Sequence, residues 1–500
     1  MLIKEFPDIS QFKDLSKNAN VIPLCVEILA DTETPVSILK KVYNTQKPIF
    51  LFESVEGGER WGRYSFLGAS AHSEIKVYKN VVEIYEDSSV KKIEHFGDPL
   101  AILRNFLKQY NPPSSIKGLP RFWGGMVGYL TYEMVSFFEK IPNVLPENKP
   151  FAHFFIPDEL LIFDNIKNTL LCVVISFLDN VSNVDTVYKK AKDRLKLMLE
   201  NMNKPITEEN GLCIENEFVL KAKIEPQKFR DKVLKTKDYI KSGDIIQAVI
   251  SQPFICEKAP ELLKLYRAQR YINPSPYLYF LKIDKIALIG SSPETMVRLE
   301  NGIATLRPIA GTRPRGKTEQ EDRYLADELL SDEKERAEHL MLVDLGRNDL
   351  GRVAETGTVQ VTDLMFVEKY SHVMHLVSNI SCDLKSKYDA WDLLRATFPA
   401  GTLSGAPKIR AMEIIGELED GHRGAYGGAV GYISFHGNMD MAITIRTACI
   451  EDNCLIVRAG AGIVADSDPE KERQETVNKA MAIQKALQLI CGNLEKGQQK

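Results

Sequence analysis

The sequence lacks the features of secreted, membrane-bound and nucleic-acid-binding proteins. Its eight cysteines are scattered from Cys25 to Cys491 without CxxC spacing, which is typical of free thiols in a reducing cytosol. No apolar run of signal-peptide length lies near the N-terminus, and the most apolar stretch, 160–178, is interrupted by Asp164 and Lys167. A formal net charge of −4 leaves no basic excess to neutralise phosphates. We therefore expect a cytoplasmic protein that binds neither membranes nor nucleic acids.

Internal repeats and low-complexity segments are also absent, which excludes solenoids and disordered tails. The 500 residues with 44% hydrophobic content are enough for two or three packed domains. A polar stretch at 201–217 follows a lysine-rich helical pattern at 187–199 and predicts a boundary. The predicted domains are residues 1–205 and 220–490.

Strand patterns dominate the second predicted domain. Asn301-Gly302 separates two strand-like segments and predicts a β-hairpin, because both turn positions tolerate positive φ. Further strand patterns cover 245–254, 428–435, 441–450 and 454–459. One predicted helix opens with a capping box at Thr318, and the last opens with Asp468 before Pro469. Short spacing between strands favours antiparallel pairing, so the predicted class is α+β with large antiparallel sheets.

Two pairs of glutamates are spaced three residues apart in predicted helices. Glu335 and Glu338 belong to the helix that opens at Thr318, and Glu472 and Glu475 belong to the last helix. Four carboxylates could meet around one Mg²⁺, which prefers hard oxygen ligands and keeps several waters. A solvated charged helix surface explains the same spacing, and spacing alone favours that alternative.

Three further features could bind an anion or move a proton. The segment 459–462, Ala-Gly-Ala-Gly, ends a predicted strand, so its backbone N–H groups could approach an anion; a tight turn is the alternative. Arg446 alternates with isoleucines on a predicted strand, so it could hold a carboxylate; a structural ion pair is the alternative. Glu294 and His375 are possible proton-transfer groups, although a lone histidine is more often a core residue.

The residues and the order of several motifs resemble those of the chorismate-utilising enzymes and, within that family, of the anthranilate synthase component I branch. The motifs are FLFES (50–54), RWGRYS (60–65), GGMVGY (124–129), NPSPY (273–277), EHLMLVDLGRND (338–349), GTLSGAPK (401–408) and ETVNKA (475–480). The resemblance covers most of the chain. It implies that the antiparallel sheets pack as a sandwich with helices outside.

The resemblance also implies a set of site residues. Glu338 and Glu475 would bind Mg²⁺, with Glu335 and Glu472 as neighbours in its shell. The residues implied to hold the chorismate dianion are Gly311, Thr312, Tyr426, Arg446, Gly460, Ala461 and Gly462. Mg²⁺ would hold the ring carboxylate of chorismate, and Tyr426 and Arg446 would hold the enolpyruvyl carboxylate. Each carboxylate of the dianion would then have its own binding groups.

The implied chemistry has two steps and makes the protein a carbon–oxygen lyase. Glu294 would protonate the departing 4-hydroxyl as ammonia attacks ring carbon C2. His375, with Thr402 close by, would then assist removal of the C2 proton and loss of pyruvate, which makes the ring aromatic. The product would be anthranilate, made in the first step of tryptophan biosynthesis.

Two positions bear on the branch of the family. Gln247 stands where isochorismate and salicylate synthases have a lysine that activates water. Ala310, in the segment PIAGT at 308–312, stands where aminodeoxychorismate synthases typically have a lysine tied to amination at C4. Together they favour direct attack of ammonia at C2. An aminodeoxychorismate synthase large subunit and a non-catalytic chorismate or tryptophan sensor are the alternatives.

The resemblance also implies partners and an inhibitor. No glutaminase segment with a cysteine nucleophile and partner histidine is apparent, so a separate glutamine amidotransferase subunit is expected, in a hetero-oligomer such as a heterotetramer. Feedback inhibition by tryptophan is expected, although the prolines at 274 and 276 could merely shape a rigid turn. The residues implied for the tryptophan site are Ser54, Asn273, Ser275, Pro276, Tyr277 and Leu278.

Overall fold

The computed structural model describes residues 1–44, 46–54, 62–86, 89–114, 116–179, 183–206, 218–370 and 373–492. The helices are α1 (Ile9–Leu15), α2 (Pro35–Val42), α3 (Pro99–Lys108), α4 (Val184–Met202), α5 (Pro226–Lys241), α6 (Leu262–Ile272), α7 (Glu319–Ser331), α8 (Glu333–Gly351), α9 (Ala390–Thr397), α10 (Lys408–Leu418) and α11 (Pro469–Ile490). Short 3₁₀ turns cover Tyr132–Phe137 and Gly401–Leu403. Within the described residues, no helix is long and apolar enough to cross a membrane.

The strands of the first part of the chain are β1 (Leu2–Phe6), β2 (Val21–Leu29), β3 (Ile49–Glu53), β4 (Tyr64–Gly68), β5 (Ser73–Val77), β6 (Val81–Glu86), β7 (Ser89–Glu94), β8 (Gly125–Leu130), β9 (Ala152–Ile156), β10 (Glu159–Asp164) and β11 (Thr169–Phe177). The later strands are β12 (Lys221–Ala222), β13 (Gln247–Cys256), β14 (Tyr277–Ile283), β15 (Ile286–Ser292), β16 (Thr295–Glu300), β17 (Ile303–Leu306), β18 (Ile309–Pro314), β19 (Gln360–Lys369), β20 (Val373–Asp383), β21 (Gly405–Ala406), β22 (Ala429–Ser434), β23 (Met439–Ile443), β24 (Thr447–Glu451) and β25 (Cys454–Ile463).

Two antiparallel sheets are each built from early and late strands. The first has the order β1-β2-β11-β10-β4-β3-β14-β15-β24-β25-β13-β12, with β21 beside β13. The second has the order β18-β20-β17-β16-β23-β22-β8-β9-β5-β6-β7, with β19 beside β20. The division into 1–205 and 220–490 stays a prediction; strands from both sides of it pair in each sheet, as β3 pairs with β14 and β8 with β22.

The two sheets pack face to face around an aromatic core. Phe66 of β4 meets Tyr432 of β22 edge-on at a centroid distance of 5.7 Å, and Phe50 of β3 meets Phe155 of β9 at 5.9 Å. Helices cover the outer face of the first sheet, where α4 and α11 bury side chains in a second apolar cluster. The predicted α+β class, with antiparallel sheets in a sandwich and helices outside, is confirmed.

Local turn and capping signals were read correctly in most places. Asn301 and Gly302 have φ of 53° and 84°, and they join β16 to β17 as predicted. Asp468 caps α11, with Pro469 at its first position. The helix that opens at Thr318 ends at Ser331, however, and a new helix begins after Asp332.

The assignment of Glu335 and Glu338 to the helix opened at Thr318 was therefore wrong. Both residues lie in the first two turns of α8. Asp332 has an extended backbone, and its carboxylate accepts hydrogen bonds from the backbone N–H groups of Lys334 at 3.0 Å and Glu335 at 3.1 Å. Because an N-cap residue starts a helix, Asp332 turns one predicted helix into two.

Two predicted strands also differ from the observed ones. The pattern at 441–450 is divided between β23 of the second sheet and β24 of the first, so the placement of Arg446 within a strand was wrong. Arg446 has a φ of 51° where the chain crosses between the sheets. The pattern that was expected to end at Ala459 extends to Ile463, so the glycine segment is a paired strand and not a loop.

Candidate active site

One cavity gathers the residues of the predicted chorismate and metal sites. Its volume is ≈ 620 Å³, which is typical of a small-molecule site. The predicted residues on its wall are Gln247, Glu294, Gly311, Thr312, Glu335, Glu338, His375, Thr402, Tyr426, Arg446, Gly460, Gly462, Glu472 and Glu475. Ala461 does not line it, because alternate residues of β25 face opposite sides. The Ala461 side chain packs with Phe229 and Val233 of α5 instead.

Two crossovers between the sheets place Glu294 and Arg446 beside one another. Glu294 lies between β15 of the first sheet and β16 of the second, and Arg446 lies on the return path from β23 to β24. The backbone N–H of Ile443 donates to the Glu294 carbonyl at 3.1 Å, and that of Ser291 donates to the Arg446 carbonyl at 3.3 Å. These bonds fix the acid and the cation on adjacent segments.

Glu294 is buried in an environment that favours its protonated form. Burial raises the pKa of its carboxyl to about 7, although a hydrogen bond from Thr402 and the charges of Lys479 and Arg446 act to lower it. Thr402 Oγ1 donates to Glu294 Oε1 at 2.9 Å. The sequence predicts Thr402 close to His375, and the observed hydrogen bond connects it to Glu294. A carboxyl with a pKa near neutrality suits a general acid.

His375 is held as a neutral base. Its Nδ1 lies 2.9 Å from the carbonyl oxygen of Gly311 and 3.1 Å from Thr312 Oγ1. Because a carbonyl oxygen only accepts hydrogen bonds, Nδ1 carries the proton and Nε2 is left as the basic atom. Burial lowers the pKa of His375, which keeps the ring uncharged near neutral pH.

Gly311 occupies a position that other residues could not adopt easily. Its φ is +63°, and a Cβ there would lie 2.9 Å from Leu329 Cδ1 and 3.1 Å from Glu335 Oε2. The pairing of β18 with β20 shifts register at this point, between Ala310 and Thr312. The bulge brings the PIAGT segment against both His375 and the carboxylates of α8.

Four carboxylates from α8 and α11 form the acidic end of the cavity. Burial raises the pKa of Glu338, and the charges of Glu335 and Glu475 raise it further. Gln247 Nε2 donates to Glu338 Oε1 at 3.3 Å. Burial and the charge of Glu475 also raise the pKa of Glu472. This repulsion would be relieved by a cation.

The donor set at this end fits Mg²⁺ in its chemistry. The four groups supply hard carboxylate oxygens, and Mg²⁺ commonly takes one or two carboxylates while keeping waters. In the part of the chain that is described, no three acidic, histidine or cysteine residues converge as a metal cluster. Two of the carboxylates face cations instead, with Glu475 at 2.7 Å from Lys479 and Glu335 at 3.2 Å from Arg313.

Cationic side chains also line the cavity, among them Arg446. Arg446 forms no ion pair with any carboxylate of the described residues, although burial lowers the pKa of its guanidinium. The charges of Glu475 and Glu294 act on Arg446 without a direct ion pair. A buried guanidinium in that position favours an anionic ligand over a structural ion pair. Tyr426 also lines the cavity, half-buried beside Gly460.

The glycines of β25 allow two site side chains to pack on its backbone. A Cβ at Gly460 would lie 2.6 Å from Tyr426 Oη, and one at Gly462 would lie 2.5 Å from Gln247 Nε2. Either contact is shorter than a real Cβ tolerates. The glycines therefore give room to Tyr426 and Gln247, a role that the sequence pattern did not suggest.

Lys479 is a residue of the cavity wall that the sequence did not predict. Its Nζ lies 2.7 Å from Glu475 Oε1 and donates to the carbonyl oxygen of Gly460 at 2.9 Å, so it links α11 to β25 at the cavity wall. The signal was present in the ETVNKA motif, because Lys479 follows Glu475 by four residues and shares its helix face. It adds a further cation to the cavity wall.

A buried ion network supports the segment that carries Tyr426. Glu419 accepts from Arg423 at 2.6 Å, from Arg458 at 2.8 Å and from the backbone N–H of Ser251 at 2.7 Å. Burial acts to raise the pKa of Glu419, but the two arginines outweigh it and lower the pKa to about 2. Arg458 also lines the cavity, so the network connects the scaffold to the site.

We expect Glu419→Gln to destabilise the fold by about 3–5 kcal/mol, because two buried arginines lose their counter-charge. The folded pKa lies below the unfolded one, so the carboxylate stabilises the wild type above about pH 4.5 and this stability is lost as pH falls toward 2. Urea unfolding as a function of pH measures both effects. Equal stability of variant and wild type at pH 7 would contradict the prediction. Glu417→Gln, on the exposed end of α10, is the control.

A second, small cavity holds part of the predicted tryptophan site. Its volume is ≈ 50 Å³, and Ser54, Pro276, Tyr277 and Leu278 line it. Asn273 and Ser275 are not on this wall; both hydrogen-bond to Ser291, through Asn273 Nδ2 to Ser291 Oγ at 3.0 Å and Ser275 Oγ to the Ser291 carbonyl at 3.4 Å. Those two residues therefore support the turn behind the pocket.

Comparison with known proteins shows the family of the chain. Residues 52–485 match the family of chorismate binding enzymes. Anthranilate synthase component 1 of Aquifex aeolicus (strain VF5) is 48% identical over 485 residues, covering 96% of this chain and 97% of its own length. The component 1 of Acetivibrio thermocellus is 46% identical over 493 residues, covering 97% of this chain and 98% of its own.

Solved structures of related proteins are also similar to this chain. Anthranilate synthase component I from Streptococcus pneumoniae TIGR4 has a TM-score of 0.76 and 38% identity, with 91% of this chain and 99% of that chain covered. The menaquinone-specific isochorismate synthase of Escherichia coli shares the fold, with a TM-score of 0.70 at 19% identity over 96% of this chain and 99% of that chain. The chain therefore belongs to the chorismate-binding enzyme family, in its anthranilate synthase component 1 branch.

Proposed function

We propose that the chain converts chorismate and ammonia into anthranilate and pyruvate as the large subunit of an anthranilate synthase. The observation that carries the proposal is one cavity that holds Arg446, which has no ion pair, and the carboxylates around Glu338 together with Glu294 and His375. A dianion bridged by a divalent cation fits this charge pattern. The relatives named above as component 1 support the same reaction.

The cationic side chains of the cavity bind and orient the substrate. Arg446 and Tyr426 hold the enolpyruvyl carboxylate, and Lys479 adds a cation beside them. Glu338 and Glu475 would hold Mg²⁺ directly, with Glu335 and Glu472 around it. When bound, the metal would neutralise the ring carboxylate of chorismate and fix its position. Gly311 and Thr312 line the ring.

The two steps use the two proton-transfer groups separately. Glu294 gives its proton to the 4-hydroxyl, which leaves as water while ammonia forms a bond to C2. The neutral His375, with Nε2 as its basic atom, assists removal of the C2 proton as pyruvate leaves. The overall result is cleavage of a carbon–oxygen bond, so the enzyme is a lyase.

The nucleophile is ammonia supplied from outside the chain. Gln247 donates to Glu338 and supplies no base for water, while Ala310 offers no amine for covalent chemistry at C4. These two residues disfavour the isochorismate and aminodeoxychorismate alternatives, and the retained acid, base and carboxylates disfavour a non-catalytic sensor. A glutamine amidotransferase subunit would supply the ammonia in a hetero-oligomer. The free thiols of Cys25, Cys172, Cys256, Cys382, Cys449 and Cys454 support a cytoplasmic site for this first step of tryptophan biosynthesis.

A fluorescence assay tests the reaction. Purified protein with chorismate, Mg²⁺ and ammonium at alkaline pH should produce anthranilate and an equal amount of pyruvate. Removing Mg²⁺ with a chelator should stop both, and adding it back should restore them. Pyruvate without anthranilate fluorescence would refute the assignment. With the cognate amidotransferase present, glutamine should replace ammonium.

We also propose that tryptophan binds at the ≈ 50 Å³ cavity and inhibits the enzyme. The pocket is lined by apolar and aromatic side chains around Ser54, and Tyr277 links it to the active-site crossover: its hydroxyl lies 3.1 Å from Oγ1 of Thr295, the residue after Glu294. Inhibitor entry must enlarge the cavity and thereby disturb this contact. Titration with tryptophan should lower ammonia-dependent activity, and millimolar tryptophan without effect would refute the proposal.

A further inference from the structure

A small chamber shares a wall with the active-site cavity. Its volume is ≈ 50 Å³, which is enough for one or two waters at about 30 Å³ each. Glu294, Leu342 and Thr402 line both spaces, so the acid and its hydrogen-bond partner separate the chamber from the chorismate cavity. The chamber wall also includes Asp349 of α8, which has no role in the reaction described above.

Asp349 forms a buried ion pair with Lys408. Lys408 Nζ lies 2.6 Å from Asp349 Oδ2, and the two side chains are only 12% and 11% exposed. Lys408 Nζ also donates to the carbonyl oxygen of Thr397 at 3.3 Å. Because Thr397 ends α9 and Lys408 begins α10, one ammonium group ties both ends of the segment 397–408 to α8.

The same segment presents Thr402 to the acid. Gly401 packs directly on α8, since a Cβ there would lie 2.2 Å from Leu345 Cδ2. Thr402 follows it and donates to Glu294. The helix that anchors this segment also carries the carboxylates of Glu335 and Glu338 near its other end. One helix therefore sets the distance between the acid and the acidic end of the cavity.

Charged side chains lie on both sides of the acid. Lys479 of α11 and Arg446 face Glu294 from the chorismate cavity. On the chamber side, Arg307 pairs with Glu368 at 2.6 Å, and Asp349 faces Lys408 and, at longer range, Arg352. Loss of the Asp349 charge alone would leave an uncompensated lysine beside the chamber.

We propose that Asp349 and Lys408 are a positioning pair for the general acid, which keeps Thr402 against Glu294 and keeps the space behind it electrically neutral. The inference rests on the proposed function, because it assumes that Glu294 is the acid of the first step. Neither residue touches the substrate. They act through the geometry and the protonation of Glu294, which touches the substrate.

Asp349→Asn tests the pair in the ammonia-dependent assay. We expect kcat to fall by about tenfold to a hundredfold with an unchanged KM for chorismate, because a small displacement of the acid is costly. The remaining Lys408 cation favours the ionised form of Glu294, so the decline of activity with rising pH should move to lower pH. Wild type and variant are compared at equal ammonium concentrations, so the ionisation of ammonia affects both alike.

The double variant Asp349→Asn with Lys408→Met separates charge from structure. It removes both charges, so the pH midpoint should return to the wild-type value while kcat stays low. Asp164→Asn is the matched control, because Asp164 is a similarly buried carboxylate paired with Arg63 at 2.8 Å, away from the cavity. It should lower thermal stability and leave the kcat and the pH midpoint unchanged.

Each outcome decides the proposal. A wild-type kcat for Asp349→Asn, or one pH midpoint shared by wild type and both variants, would overturn it. If Asp349→Asn does not fold, the double variant decides alone, with a wild-type kcat against the pair and a tenfold loss at constant KM for it. An inactive wild type would instead overturn the proposed function.

Discussion

Glu294→Gln is expected to lower anthranilate formation by about 10²–10⁴-fold, the usual contribution of a positioned acid. The amide keeps the size of the side chain and can still accept the hydrogen bond from Thr402, but it has no proton of suitable acidity for the leaving hydroxyl. Chorismate consumption and anthranilate fluorescence should fall together, because the first step fails. Binding of chorismate, measured by calorimetry, should be retained.

The matched control is Glu300→Gln at the end of β16, six residues from Glu294 and outside the cavity wall. It should leave kcat unchanged. Full activity of Glu294→Gln would exclude Glu294 as the acid and transfer that role to another group.

The pH profile of the wild type gives an independent check on Glu294. Burial raises the pKa of this carboxyl to about 7, and only its protonated form can act as the acid. When the rate is expressed per concentration of un-ionised ammonia, kcat/KM should therefore decline as pH rises through about 7. A profile that is flat from pH 6 to 8.5 would contradict this.

His375→Ala is expected to slow the second step of the reaction and to leave the first step intact. Amination at C2 should continue, while elimination of pyruvate should slow by about 10²–10⁴-fold, because the neutral base is missing. An aminated intermediate should then accumulate, and chromatography with mass detection after quenching measures it directly. Chorismate should still be consumed, whereas anthranilate fluorescence and pyruvate should fall together.

His153→Ala provides the comparison for His375. His153 is buried in the same sheet, on β9, and its Nε2 lies 3.2 Å from Glu74 outside the active-site cavity. Loss of stability in this variant without an accumulated intermediate would show that the effect belongs to the site. Equal loss of both steps in His375→Ala would refute the division of roles.

Much of the fold could be predicted because its signals are local. The turn at Asn301-Gly302 needs positive φ at both positions, and Asp468 with Pro469 starts a helix whatever surrounds it. The break at Asp332 shows the limit of such signals. The helical pattern continues through Asp332, so the sequence did not show that this residue is an N-cap. An aspartate inside a charged helix and an aspartate at its start cannot be distinguished in one sequence.

The site itself depended on contacts between distant residues. Thr402 donates to Glu294 across 108 positions, and Gln247 donates to Glu338 across 91. No periodicity encodes such distances. The resemblance supplied the residue names, whereas the reasons for Gly460 and Gly462, and the presence of Lys479, emerged only when neighbouring strands and α11 were in place.

By itself, the sequence determined the α+β class, the family through its ordered motifs, and the branch through what Gln247 and Ala310 lack. Only the tertiary structure decided where the candidate site residues meet. Arg446 was read on a strand because its alternation with isoleucines is local, yet the chain crosses there from one sheet to the other. Glu294 lies on the neighbouring crossover, and the pairing of the two sheets, which sums many long-range contacts, is what brings the acid and the cation together.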